Sequence, residues 1–179
     1  IRDRSAAILS PRGQVMENGM PRFFKRLALN VFDEKDVVHR ANELADFIVS
    51  SAGGYKRDSG QLTALGYSNG ANIAAAIILL RPEVFARAVL LRPMLPLQDP
   101  SAPDLQGKQI LILRGEHDMV IPSDGTDRLV MTLQDAGANV SVQSIPGGHE
   151  ITGRDLEEVS YWLTETCMRN QGISCKMSA

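Results

Sequence analysis

Apolar and polar positions follow two periods along this chain. Short apolar runs of four or five residues recur at 6–9, 61–65, 88–91 and 109–113, the length and composition of strands, with 6–9 and 61–65 reading as buried ones, and residues 140–145 read as the last strand. Between them, apolar positions fall at helical spacing. Residues 36–52 repeat Val37, Ala41, Leu44 and Ile48, with Val38, Ala45 and Val49 widening the stripe, and acids at Asp33, Glu34 and Asp36 favour a helix start there. Residues 71–80 are rich in helix formers and are closed by Arg81-Pro82. Residues 123–136 turn Leu129, Val130 and Leu133 inward and stop at Gly137. Residues 155–167 present Leu156, Val159, Trp162 and Leu163 after Thr152-Gly153-Arg154-Asp155, which approximates a capping box.

Strands alternating with helices predict an α/β fold, a mostly parallel sheet covered by helices on both faces. Residues 11–35, with Gly13, Gly19, Pro21 and the cluster Arg22-Phe23-Phe24, read as an irregular stretch. Loops of that length are usually functional or contain a short helix. The pattern gives one domain over residues 1–168 and a loose polar tail over 169–179.

Composition narrows the classes. A chain of 179 residues with 44% hydrophobic and 22% charged content is that of an ordinary globular domain. A net charge of −2 offers no electrostatic footprint for nucleic acid or an anionic membrane surface. Residues 73–80 form the longest apolar stretch, far short of a membrane span. Residues 1–4 are charged and the four-residue apolar run after them is too short for the h-region of a signal peptide, and Cys167 and Cys175 read as free thiols. A cytoplasmic location is therefore expected. Three histidines, none paired at ligand spacing, argue against a metal site, and Gly153 stands where a zinc-protease motif starting at His149-Glu150 needs its second histidine. No cofactor motif is present: there is no G-x-G-x-x-G after a strand and no complete phosphate loop.

The chemistry concentrates at Gly66-Tyr67-Ser68-Asn69-Gly70. A G-x-S-x-G pattern arises by chance in roughly one chain in twenty of this length, so its weight comes from the strand before it and the helix after it. Strand, G-x-S-x-G and helix are the context of a nucleophile elbow, a turn so tight that its neighbours must be small. A serine needs a base to take its proton, and the base needs an acid to orient it. Gly115-Glu116-His117-Asp118 follows one later strand, and Pro146-Gly147-Gly148-His149 follows the next. Both fall where a parallel sheet gathers its chemistry, at the carboxyl ends of strands. His149 is thus the candidate base. Asp118 is the candidate acid in competition with Glu116, Asp124 and Asp127, two of which sit where helix starts favour acids. His117 and His39 read as surface residues.

Leu9-Ser10-Pro11-Arg12-Gly13, Glu17-Asn18-Gly19-Met20-Pro21-Arg22-Phe23-Phe24, the elbow with Ala71-Asn72-Ile73, Arg92-Pro93-Met94 and Pro146-Gly147-Gly148-His149 together resemble the phospholipase and carboxylesterase branch of the α/β-hydrolases. They look closest to small serine hydrolases associated with hydroquinone catabolism. The resemblance implies an α/β-hydrolase fold with nucleophile Ser68, acid Asp118 and base His149. It implies an oxyanion-hole N–H from Asn69 and a substrate pocket walled in part by Arg22, Phe23 and Met94. It implies a serine hydrolase of carboxylic esters with small to medium acyl groups, working on a small-molecule ester without cofactor, nucleic acid or membrane; a homodimer is left open. The alternatives are thioesterase or lysophospholipase-like activity and a non-catalytic binding module of the same fold. Relatives begin with a strand ending in a His-Gly-x-Gly loop, and no His-Gly dipeptide occurs here. The expectation is a domain lacking its N-terminal strands, a piece of a longer protein, which an intact mass of 19.5 kDa for the source protein would contradict.

Overall fold

The computed structural model describes residues 6–58 and 61–170. In chain order it runs β1 (Val15–Glu17), β2 (Met20–Arg22), β3 (Arg26–Ala28), β4 (Val31–Phe32), α1 (Glu34–Gly54), β5 (Thr63–Tyr67), α2 (Asn69–Leu80), β6 (Arg87–Leu91), β7 (Gln109–Gly115), α3 (Ser123–Asp135), β8 (Asn139–Ile145) and α4 (Gly153–Asn170). The four long strands form one parallel sheet in the order β5-β6-β7-β8.

Side chains alternate across that sheet. Ala88, Leu90, Ile110 and Ile112 face one layer, packed with α1, α2 and α3 through Val37, Ala41, Ile77, Leu129 and Leu133. Val89, Leu91, Leu111 and Leu113 face the other, against Val159, Trp162 and Leu163 of α4. The central strands are apolar on both faces because helices cover both, which is why they read as continuous apolar runs. No helix among the described residues is long and apolar enough to cross a membrane.

Several expectations need correcting. Residues 6–9 form no strand and are exposed: an apolar run becomes a strand only when its backbone groups find a neighbouring strand, and no described strand lies beside it. The stretch 11–35 is two antiparallel hairpins, β1–β2 and β3–β4. Asn18 and Gly19 turn the first with φ of 51° and 77°, the pair of positive angles a two-residue hairpin turn requires. Residues 61–65 do not make a fully buried strand. β5 starts at Thr63 and is open on one face, leaving Leu65 exposed. In α1, Val38 and Val49 are exposed rather than inward.

The fourth helix differs most. Leu156 is exposed, and the fully buried position beside it belongs to Asp155. The charge lies inward because a buried arginine, Arg92, meets it there at 2.7 Å. The capping box is present as a reciprocal pair: the Thr152 N–H donates to Asp155 Oδ2 at 2.8 Å, and the Asp155 N–H donates to Thr152 Oγ1 at 3.4 Å. Of the expected tail over 169–179, residues 169 and 170 instead continue α4, and 171–179, with Cys175, lie outside the described residues.

Candidate active site

β5 ends at Tyr67, and the chain reverses into α2 through Ser68, whose φ is 51° and ψ is −115°. Few non-glycine residues adopt such angles, and they concentrate at functional sites. The turn is possible because Gly66 has no side chain: a Cβ there would lie 2.4 Å from the Gly70 carbonyl oxygen. The Ser68 N–H still donates to the Leu91 carbonyl at 2.8 Å, continuing the sheet ladder past β5. The serine is therefore fixed by backbone on both sides, with its hydroxyl projecting above the sheet edge.

Two further loops at this edge converge on it. Asp118 follows β7 and His149 follows β8. His149 Nδ1 stands 2.9 Å from Asp118 Oδ2, and His149 Nε2 stands 3.0 Å from Ser68 Oγ. Burial opposes ionisation of Asp118, but hydrogen bonds from the Ile121 N–H, His149 and the Val120 N–H outweigh it and hold its carboxyl below the ordinary range. An ionised carboxylate only accepts, so Nδ1 carries the imidazole proton and donates it to Asp118. That leaves Nε2 free to accept from the Ser68 hydroxyl. The arrangement can deprotonate an alcohol and stabilise the resulting imidazolium.

Of the competing acids, Asp127 pairs with Arg114 at 2.9 Å, and Glu116 is exposed. The His117 N–H donates to the Gly147 carbonyl at 2.9 Å, and His39 faces Glu43 on α1. Neither histidine reaches Ser68. Asn69 opens α2, so its N–H is among the first-turn donors that a helix leaves without an internal acceptor.

The implied pocket residues are placed differently from one another. The Phe23 N–H donates to the Asn69 side-chain oxygen at 2.8 Å, and its ring lies over Gly70. The segment after β2 is thereby tied to the elbow. Met94 is partly buried, its N–H held by Asn72 Oδ1 at 2.9 Å. Arg22 is paired with Glu17 inside the first hairpin. The second hairpin reaches the acid loop, where Asn30 Nδ2 donates to the Val120 carbonyl at 2.7 Å.

Two residues under the histidine loop were not singled out for any role by their sequence. Arg92, at the carboxyl end of β6, is fully buried, with φ 52°. It forks onto Asp155 at 2.7 and 3.0 Å. Burial opposes ionisation of Asp155 too, and the bonds from Arg92 and Thr152 prevail, holding its carboxyl below the usual range. The available signal was a charge directly after four apolar strand residues. The other residue is Tyr67, whose hydroxyl donates to the His149 carbonyl at 2.9 Å. Its burial pushes the phenol above its ordinary range, so it stays a donor.

Known proteins share this fold. Residues 5–167 match the family model described as phospholipase/carboxylesterase, and the chain belongs to that family of α/β-hydrolases. The protein MhqD of Bacillus subtilis (strain 168) is 42% identical over 163 residues, covering 91% of this chain and 82% of that protein. The Bacillus cereus carboxylesterase structure matches with a TM-score of 0.83 at 40% identity, over 86% of this chain and 73% of that one. A carboxylesterase from Mesorhizobium loti matches with a TM-score of 0.82 at 34% identity, again over 86% and 73%. The chain is accordingly a hydrolase of the carboxylesterase type.

Proposed function

We propose that this protein hydrolyses carboxylic esters of small to medium acyl groups through an acyl-enzyme on Ser68. The observation that carries this is the continuous relay from Ser68 through His149 to Asp118, with both links at hydrogen-bond length. His149 takes the Ser68 proton as Oγ attacks the ester carbonyl, forming a tetrahedral oxyanion. The Asn69 N–H stabilises that charge at the positive end of α2. The same imidazole then protonates the leaving alcohol, and water, deprotonated in turn by His149, releases the acid and regenerates Ser68. Asp118 keeps the imidazole in its Nδ1–H form and stabilises the imidazolium.

Phe23 and Met94 border the acyl site in this account, with Arg22 further out on the first hairpin. The reaction needs no metal or cofactor, and the protein works in the cytoplasm on a small-molecule ester. Thioesters and lysophospholipids would use the same residues. The assembled relay favours a hydrolase over a binding module, which would have no use for it. Steady-state kinetics on p-nitrophenyl acetate, butyrate and octanoate, beside an acyl thioester and a lysophospholipid, tests the reading. The highest kcat/KM is expected on the shorter oxygen esters, with turnover lost in His149→Ala. Comparable turnover by His149→Ala, or a clear preference for the lysophospholipid, would overturn it.

A further inference from the structure

We propose that Arg92 and Tyr67 are positioning residues for His149, gripping the backbone carbonyls at and beside it so that the imidazole is held between Ser68 and Asp118. The inference rests on the reading of His149 as the base. Four consecutive carbonyls of its loop each accept a hydrogen bond from outside the loop. Gly147 accepts from the His117 N–H at 2.9 Å, and Gly148 from Arg92 Nε at 3.0 Å. His149 accepts from the Tyr67 hydroxyl at 2.9 Å, and Glu150 from Arg92 Nη2 at 3.0 Å. The segment is irregular backbone without sheet or helix partners, so side chains supply what secondary structure does not.

The donors are themselves fixed to the sheet edge. Tyr67 is the residue before the nucleophile, so its hydroxyl ties the histidine's own backbone to the elbow. Arg92 follows β6, and its N–H donates to the Leu113 carbonyl at 2.7 Å. Its guanidinium is held by Asp155, which Thr152 in turn holds through its N–H and hydroxyl, both at 2.8 Å. Stability alone does not explain this pair. A buried ion pair is generally no better for the fold than an apolar pair of similar volume. What an apolar pair could not do is present separate N–H donors to Gly148 and Glu150 on either side of one residue. The planar fork of arginine does this while meeting both carboxylate oxygens of Asp155 at the same time.

Small misplacements of reacting groups are expensive: about 1 Å can lower rate 10²-fold. The test uses Tyr67→Phe, which keeps the ring, and the double variant Arg92→Met/Asp155→Leu, which replaces the ion pair by apolar side chains. Kinetics on p-nitrophenyl acetate are read together with thermal unfolding and the low-field Nδ1 proton resonance of His149. The expected result for Tyr67→Phe is a drop of about tenfold in kcat, with KM within about twofold, an unchanged melting temperature and a broadened resonance. The folded double variant should lose about 10²-fold in kcat in the same pattern. Wild-type kcat and a sharp resonance in Tyr67→Phe would overturn the proposal, as would wild-type kcat in a folded double variant. If the double variant does not fold, Tyr67→Phe decides. His149→Ala is run alongside. Turnover retained there removes the base reading and the proposal with it. Turnover lost there, with kcat intact in Tyr67→Phe, removes the positioning role alone.

Discussion

His149 Nε2 lies 3.0 Å from Ser68 Oγ although 81 residues separate them. Nothing local creates this approach. β5 and β8 stand at opposite edges of the four-stranded sheet, and the loops after them lean inward over β6 and β7 until the side chains meet. The loop after β8 can come that close because Gly115 has no side chain. A Cβ there would fall 2.1 Å from the Gly148 carbonyl oxygen.

Asp118 should be replaceable without loss of fold but not of activity. Asp118→Asn keeps the shape yet offers His149 an amide that no longer fixes the Nδ1–H tautomer. A fall in kcat on the order of 10⁴-fold is expected, with KM nearly unchanged. Steady-state kinetics on purified variant and wild type check it, and a fall under tenfold would take Asp118 out of the relay.

The pair of Arg92 and Asp155 makes stability depend on acid. The folded-state carboxyl of Asp155 lies below its ordinary value, so its contribution is fully present above the usual carboxylate range. It is lost as pH falls through the lowered folded value. Asp155→Ala leaves Arg92 buried and unpaired, expected to destabilise by about 3–5 kcal/mol at neutral pH. That corresponds to roughly 6–20 °C in melting temperature for a chain of this size. Thermal unfolding from neutral pH downward should show the gap between wild type and variant narrowing with acid. A constant gap would deny the pair its charge.

Gly66→Ala should be among the most damaging single methyl additions in the chain. Its Cβ would meet the Gly70 carbonyl oxygen at 2.4 Å and Ala71 Cα at 2.7 Å, both backbone, so no side chain can yield. About 3 kcal/mol of stability is expected to be lost, together with turnover, because relief requires moving Ser68. By contrast, a Cβ at Gly53 meets nothing within 4 Å. Gly53→Ala should leave melting temperature and kinetics close to wild type, which makes it the control in a denaturation series.

What could be read from the chain follows from how local each signal is. The elbow was legible because a glycine, a serine and a glycine must sit next to one another for the turn to close. Asp118 and His149 are candidates by the rule that chemistry gathers at strand carboxyl ends, together with their order after two successive strands. The hairpins are hard to read although Asn18-Gly19 is a strong two-residue turn signal, because the flanking strands are only three residues long and show too little alternation to register. Leu156 departs from its expected inward position for a different reason. Helical periodicity ranks apolar residues inward and cannot anticipate a buried acid, and Asp155 is inward only because Arg92, 63 residues earlier, is there to meet it. The clamp on the histidine loop was illegible for the same reason: it runs from side chains to backbone carbonyls, which leave no mark in the sequence.

The most direct test of the central claim is intact-mass spectrometry after exposure to a fluorophosphonate, on wild type and Ser68→Ala. A relay that activates Ser68 predicts one stoichiometric adduct on the wild-type protein and none on folded Ser68→Ala. Peptide mapping should then place the adduct on Ser68. An adduct that persists in Ser68→Ala, or a folded wild-type protein that takes up no label, would contradict it.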